Sequence, residues 1–382
     1  MPELLAWIRS REKLHLHLLK RLVEIESPSH DKRAVDRLAR IVASEWRRRG
    51  ARVRILRNRD RGNHVLVELV LSPQRDSARR SLLVLGHLDT VYPVGTLAKM
   101  PFRISGGRAW GPGTFDMKGG LVIALAAADA LRALKISPRR RMVFLWTSDE
   151  EIGSAASRKI IEREARKSEA VFVLEPSFGV EGRLKTQRKG VGEAELIVSG
   201  RSAHAGIAPE TGVNAVHELA LQIVRLLKLN DARRGITVQA NVIHGGTASN
   251  VVPARARALL DVRVSRAVDA LRLNRKLHAL RPMLPGAKIQ IIGGVNRPPM
   301  ERTAGIAALL SQAQRLAREI GVSLGEASTG GGSDGNFTAA LGIRTLDGLG
   351  AVGDGAHSPA EHIRIAALSE RAALLAGLLS SI

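Results

Sequence analysis

A chain of 382 residues with 45% hydrophobic content can bury sizeable cores and is long enough for two domains or one enlarged one. The absence of cysteine excludes disulfides, thiolate metal ligands and a cysteine nucleophile, so any metal must sit on imidazole and carboxylate. The net charge of +23 lies in short scattered groups such as Arg47–Arg49, Arg79–Arg80 and Arg139–Arg141, with 3% aromatic residues and no nucleic-acid motif; it argues against a specific nucleic-acid partner and reads as a solvated surface that steers anionic substrates.

From the N-terminus, no stretch approaches the roughly 20 apolar residues of a membrane span, and Met1 to Lys20 carries charges where a signal peptide needs an apolar segment. A cytoplasmic protein with no membrane partner is expected. Residues 3 to 50 predict two amphipathic helices, interrupted at Ser27, Pro28 and Ser29 before Asp31 reopens the helical pattern. Strand signals follow at 51–56, 63–71 and 81–85, then an almost wholly apolar helix at 119–134, then strands at 141–146 and 170–174. Strands alternating with helices predict an α/β fold with a mixed, mainly parallel sheet flanked by helices.

From Gly190 the pattern changes to strand (194–198), helix (213–229), strand (236–243), strand (257–264), helix (267–284) and strand (288–292). This is βαββαβ, a ferredoxin-like split βαβ unit. Beyond a break at 296–299, a helix at 303–320, a glycine-rich turn at 329–335 and a closing helix at 365–379 resume the first pattern. The reading is therefore one domain of residues 1–190 and 297–382 with a second, 191–296, inserted.

The apolar run LLVLG ends in His87-Leu88-Asp89, and residues two apart on an extended chain point the same way. A metal-bound histidine commonly donates its other ring N–H to a carboxylate, which casts Asp89 as the orienting partner of His87 rather than a ligand. Asp116 follows the turn Gly111-Pro112-Gly113 and precedes the glycines that open the apolar helix. Three adjacent acids, Asp149-Glu150-Glu151, come directly after the strand MVFLW, where mutual repulsion is costly unless cations compensate it. Glu175 ends AVFVLEP and His357 lies in GDGAHSP. Most of these candidates stand at the end of a β run, where open α/β sheets place their ligands. Two imidazoles and several carboxylates suit Zn²⁺, or Co²⁺ or Mn²⁺ in a permissive site. Two metals sharing one carboxylate fit the count, with either Glu150 or Glu151 left as the proton acceptor.

The segments GHLDT, WGPGTFDMKGG, TSDEEIGS, VLEPS, SAHAGIAPETGVNA, GGTASNVVP, TGGGSDG and GAHSP, in that order, resemble the zinc metallopeptidase family that contains bacterial glutamate carboxypeptidase, aminoacylase, acetylornithine deacetylase and succinyl-diaminopimelate desuccinylase. The resemblance covers about residues 10 to 380, and HLDTVYPVGTLAKMPFRISGGRAWGPG looks most like the glutamate carboxypeptidase branch. It implies a zinc-peptidase-type sheet domain with an inserted lid and dimerisation domain, and two Zn²⁺ per chain. It implies that Asp116 bridges the metals, that Glu151 and His357 complete one site and His87 and Glu175 the other, and that Glu150 is the general base. A cis peptide at Asp116-Met117 is implied as well. His204 matches a histidine that stabilises the oxyanion, often from the partner subunit of a homodimer. Asn250 and Arg263 match substrate-binding positions, the arginine offering a bidentate hold on a carboxylate. The glycine turn around Gly331 and, more remotely, Arg183 are further substrate-binding candidates. Glu at position 175 resembles the carboxypeptidase and deacylase members rather than the aminopeptidases.

The function expected is amide hydrolysis that releases a C-terminal amino acid from an N-acyl or N-peptidyl amino acid. The alternatives are a deacetylase or desuccinylase on the same metal site, or a non-catalytic basic binding protein on the same fold.

Overall fold

The computed structural model describes residues 1–71 and 80–382; of the basic groups above, Arg79 lies outside them. The chain divides into two compact units. One comprises Met1–Gln187, Arg302–Thr329 and Ser333–Ile382, the other Arg188–Glu301 with Gly330–Gly332. No helix among the described residues is long and apolar enough to cross a membrane.

The larger unit is built on a six-stranded sheet in the order Arg52–Leu56, His64–Leu69, Met142–Thr147, Ser81–His87, Ser168–Val173, Arg344–Leu346. The last four strands run parallel, and only His64–Leu69 opposes its neighbours. The sheet is thus mixed and mainly parallel, as the alternation of elements predicts. In Ser81–His87 alternate residues serve opposite cores. Leu82 and Val84 pack with Trp46, Phe144 and the helix Gly119–Ala133, while Leu83 and Leu85 pack with Ile161, Ala165 and Phe337. A strand buried on both faces must be apolar throughout, which is why this segment shows no period of two. Trp46, Phe144 and Trp146 form the aromatic centre, with the Trp46 and Phe144 centroids 4.3 Å apart.

Three helices, not two, precede the sheet: Pro2–Arg9, Glu12–Val23 and Lys32–Arg48. The first pair is separated at Ser10-Arg11, where the Ser10 hydroxyl bonds back to the Trp7 carbonyl and competes with the helical ladder. Asp31 caps the third helix by accepting from the Ala34 amide at 2.9 Å. Sequence reading also missed the short helices Arg158–Arg166 and Gly335–Ala340 and a small sheet of Arg103–Ser105, Arg108–Trp110, His362–Arg364 and Gly353–Asp354. Its strands have two or three residues, too few for a periodic signal. The turn Gly106-Gly107, with φ of 57° and 70°, does mark its hairpin.

The smaller unit is an antiparallel sheet in the order Thr237–Gly245, Arg255–Val264, Gly190–Ser199, Lys288–Arg297, with helices Ala215–Leu227 and Ala267–His278. This is the expected βαββαβ topology. The second helix stops at His278 rather than 284 because the chain turns through Pro282 and Pro285. The buried carboxylate of Glu218 receives the freed amides of Met283 and Leu284.

Candidate metal centre

The parallel strands end together, and their C-terminal loops bring the chemistry to one edge of the sheet. His87 is the last residue of its strand and buried to 1% exposure. Its Nε2 stands 3.1 Å from Asp116 Oδ1 and 3.4 Å from Glu175 Oε1. His357, half-exposed, stands with Nε2 3.4 Å from Asp116 Oδ2 and 3.2 Å from Glu151 Oε2. Asp116 therefore faces one histidine with each of its oxygens. The Glu150 carboxylate is grouped with His87 and Glu175 at distances suited to holding a cation.

Each ligand loop has a local cause. Asp116 leaves the turn Gly111–Gly113, where Gly111 and Gly113 have φ of 149° and 73°, and the Asp116-Met117 peptide is cis, as the resemblance implied. His357 adopts φ of 61°, the left-handed region that a non-glycine residue occupies only when its surroundings hold it there. Of the three adjacent acids only two reach the site. Asp149 turns away and accepts the amides of Ala156 and Ser157.

Asp89 is fully buried and has a wider role than orienting His87. The His87 Nδ1 lies 2.9 Å from the Asp89 carbonyl and 3.5 Å from its carboxylate. That carboxylate accepts the Ser29 hydroxyl at 2.7 Å and the amides of Glu150 and Glu151 at 3.2 Å each. One acid thus ties the strand end of His87 to the turn of the glutamates. Asp334 grips the same turn from beneath, accepting the hydroxyls of Thr147 and Ser154. Neither Ser29 nor Asp334 was singled out from the sequence. The TGGGSDG segment was noted for its glycines, whereas its buried acid makes the contacts.

The electrostatics point to cations. Burial works against a charge on Asp116, yet hydrogen bonds to His357 and His87 hold its carboxyl well below the usual range. Burial, with the Asp116 charge beside it, pushes Glu151 up to about 7. Hydrogen bonds to Asp116 and Glu151 raise His357 to about 10. Burial alone would depress His87, but Asp116, Asp89 and Glu175 carry it well above its ordinary value. The acids, in short, demand positive charge between them, and Glu151 Oε1 is buried with no hydrogen-bond partner among the described residues. Ligands about 2.0–2.1 Å from a tetrahedral zinc stand about 3.3 Å from one another. The donor separations of 3.1 to 3.4 Å match that edge, so the residues fit a pair of such ions.

The remaining candidates lie elsewhere. In the smaller unit the loops 201–206 and 247–252 run side by side, and the Ala205 amide bonds to the Asn250 carbonyl at 2.9 Å. His204 and Asn250, both exposed, are thereby brought together. The His204 Nδ1 accepts the Gly206 and Ile207 amides, which leaves its proton on Nε2. Arg263 holds the Asp261 carboxylate in two-pronged fashion, at 2.8 and 2.9 Å, and reaches the Gly330 carbonyl. The Gly331 and Gly332 carbonyls accept from Arg188. Arg183 packs over Phe178 and pairs with Glu181 at 3.7 Å.

A mixed α/β sheet whose strand ends gather histidines and acids into two donor sets around one carboxylate defines a metallohydrolase class, and the chain belongs to the peptidase family M20/M25/M40, whose model matches residues 83–381. It is 31% identical to carboxypeptidase G2 of Pseudomonas sp. (strain RS-16) over 94% of this chain and 87% of that one. Succinyl-diaminopimelate desuccinylase of Acinetobacter baumannii is 30% identical over 73% of this chain and 78% of its own. The YXEP protein of Bacillus subtilis, a dinuclear metal-binding peptidase of the M20 family, superposes with a TM-score of 0.70 at 14% identity, over 97% of this chain and 98% of that one. Membership makes this chain a hydrolase of amide bonds.

Proposed function

We propose that this protein hydrolyses the amide bond of an N-peptidyl or N-acyl amino acid and releases the C-terminal amino acid, in the manner of a glutamate carboxypeptidase. The observation that carries the reading is Asp116, which turns one oxygen to His87 and the other to His357. His87, Glu175 and Asp116 would hold one Zn²⁺, and His357, Glu151 and Asp116 the other, with Co²⁺ or Mn²⁺ as alternatives. When bound, such a pair supplies polarisation of the scissile carbonyl and acidification of the attacking water.

The chain's own residues do the rest. Glu150, held at its backbone by Asp89, takes the proton of the attacking water and returns it to the leaving amine. His204, with its proton on Nε2, donates to the developing oxyanion, and we assign that role to the copy on the partner subunit of a homodimer formed through the smaller unit. Asn250, Arg263 and the turn at Gly331 bind the substrate carboxylate, Arg263 by exchanging Asp261 for it.

A desuccinylase or deacetylase activity is the second reading, favoured by the desuccinylase likeness. The deciding experiment is metal analysis of the purified protein together with hydrolysis of a panel of N-acyl and N-glutamyl-type amino acids, with and without added Zn²⁺ or Co²⁺. Two metals per chain and turnover of glutamyl amides support the first reading, and turnover of succinyl or acetyl amino acids alone supports the second. Absence of metal and of turnover after reconstitution refutes both. Glu150→Gln should retain metal and lose about 10³-fold or more in kcat.

A further inference from the structure

Glu361 is fully buried in the larger unit and absent from every ligand set above. It stands four residues after His357, at the start of the strand His362–Arg364. That strand pairs with Arg108–Trp110, His362 opposite Trp110, and the register sets Glu361 beside the turn that follows Trp110. There its carboxylate accepts three backbone N–H groups. Oε2 accepts from Gly113 at 2.9 Å, and Oε1 accepts from Phe115 at 2.8 Å and from Asp116 itself at 2.9 Å.

Two further groups complete the arrangement. The Tyr92 hydroxyl, from the loop that follows His87 and Asp89, donates to the Ser358 carbonyl at 3.1 Å and lies near the Glu361 carboxylate. Lys118, also buried, donates to the Ile25 carbonyl at 2.8 Å, and its charge attracts that of Glu361. A carboxylate without an ionic partner in such a place would be costly. Here three oriented amides and the nearby charge of Lys118 offset part of that cost.

We infer that Glu361 is a positioning residue for the metal pair. It fixes the turn of Asp116 to the segment that carries His357, so that two ligand-bearing segments are registered on one buried side chain. The inference rests on the metallohydrolase reading for its purpose, but the contacts of Glu361 stand without it. The chemistry requires a carboxylate. Three donors converge on two acceptor oxygens, and the isosteric amide of Gln would set an NH₂ against at least one backbone N–H.

The test uses the full chain, wild type against Glu361→Gln and Glu361→Asp. Hydrogen exchange of the metal-free proteins, followed by mass spectrometry over peptides spanning residues 111–118, should accelerate about tenfold in Glu361→Gln, the expected consequence of losing about one such bond. Zn²⁺ affinity by calorimetry should fall about 10–100-fold, the usual effect of removing a group that orients a ligand, with kcat reduced and KM held. The visible spectrum of the Co²⁺-loaded protein should change in band position. Glu361→Asp, which keeps charge and acceptors on a shorter stem, should recover part of each effect. A folded Glu361→Gln with wild-type exchange, affinity and Co²⁺ spectrum overturns the inference. Should both variants fail to fold, residue-resolved hydrogen exchange of the Gly113, Phe115 and Asp116 amides in the wild-type protein replaces them, and exchange of all three at the unprotected rate overturns the inference equally. If wild-type protein binds no metal, the functional reading fails, while the exchange arm still decides whether Glu361 holds the turn.

Discussion

The two units treat their candidate site residues in opposite ways. In the larger one His87, Asp89, Asp116, Glu151, Glu175 and His357 are linked by contacts of 3.1 to 3.5 Å at the end of a buried sheet, and their charges are mismatched without cations. In the smaller one His204 and Asn250 are exposed, and Arg263 has an acid of its own chain. The histidines follow it in part: His15, His64 and His87 of the larger unit are buried while its His17, His30 and His357 are exposed, and all four in the smaller, His204, His217, His244 and His278, are exposed. A preformed constellation in a low-dielectric edge can bind metal by itself. A set of exposed loop residues waits for a substrate or a partner.

The strongest way to break that comparison is Asp116→Ala. It removes the acceptor common to both histidines, and metal analysis should find neither ion retained, with turnover lost. Asp261→Ala, in the smaller unit, should leave metal content unchanged. An equal metal loss in both variants would end the distinction. Next in size, His204→Ala should retain metal and lose about 10²–10³-fold in kcat. Unchanged kcat would make His204 a solvent-facing loop residue. Asp334→Ala removes the carboxylate that accepts the buried hydroxyls of Thr147 and Ser154 and should destabilise the larger unit by about 2–4 kcal/mol in urea melts.

The smallest effect expected is on pH. Burial holds His15 and His64 below their ordinary pKa, so the unfolded chain binds protons that the fold does not. Their contribution to stability is present above about pH 6.5 and is lost as pH falls below it. Thermal melts of metal-free protein through that range should show a smaller loss of stability on acidification in His15→Leu than in wild type, the opposing contributions of His87, His357 and Glu151 being common to both. A slope that persists in full would assign it to other groups.

Much of this was legible in the sequence because it rests on local rules. Apolar runs marked the parallel strands, the change of pattern at Gly190 marked the second topology, and the strand-end placement of His87, Glu151 and Glu175, with Asp116 after its glycine turn, marked the candidate centre. The short strands around Arg108–Trp110 and His362–Arg364 had no such signal, since two or three residues cannot show a period. The exclusion of Asp149 from the centre was equally hidden: three adjacent acids look alike until the loop after them decides which amides need an acceptor.

By itself, then, the sequence determined the donor chemistry, the order of elements and the family, because residue type, hydrophobic period and motif spacing are properties of the chain. Only the tertiary structure decided that Asp116 offers one oxygen to each histidine, that Asp89 and Asp334 hold the acid turn, and that Glu361, 245 residues beyond Asp116, supports its backbone. Those are contacts between segments remote in the chain, set by strand register and burial, and no local pattern encodes which distant carboxylate will meet which amide.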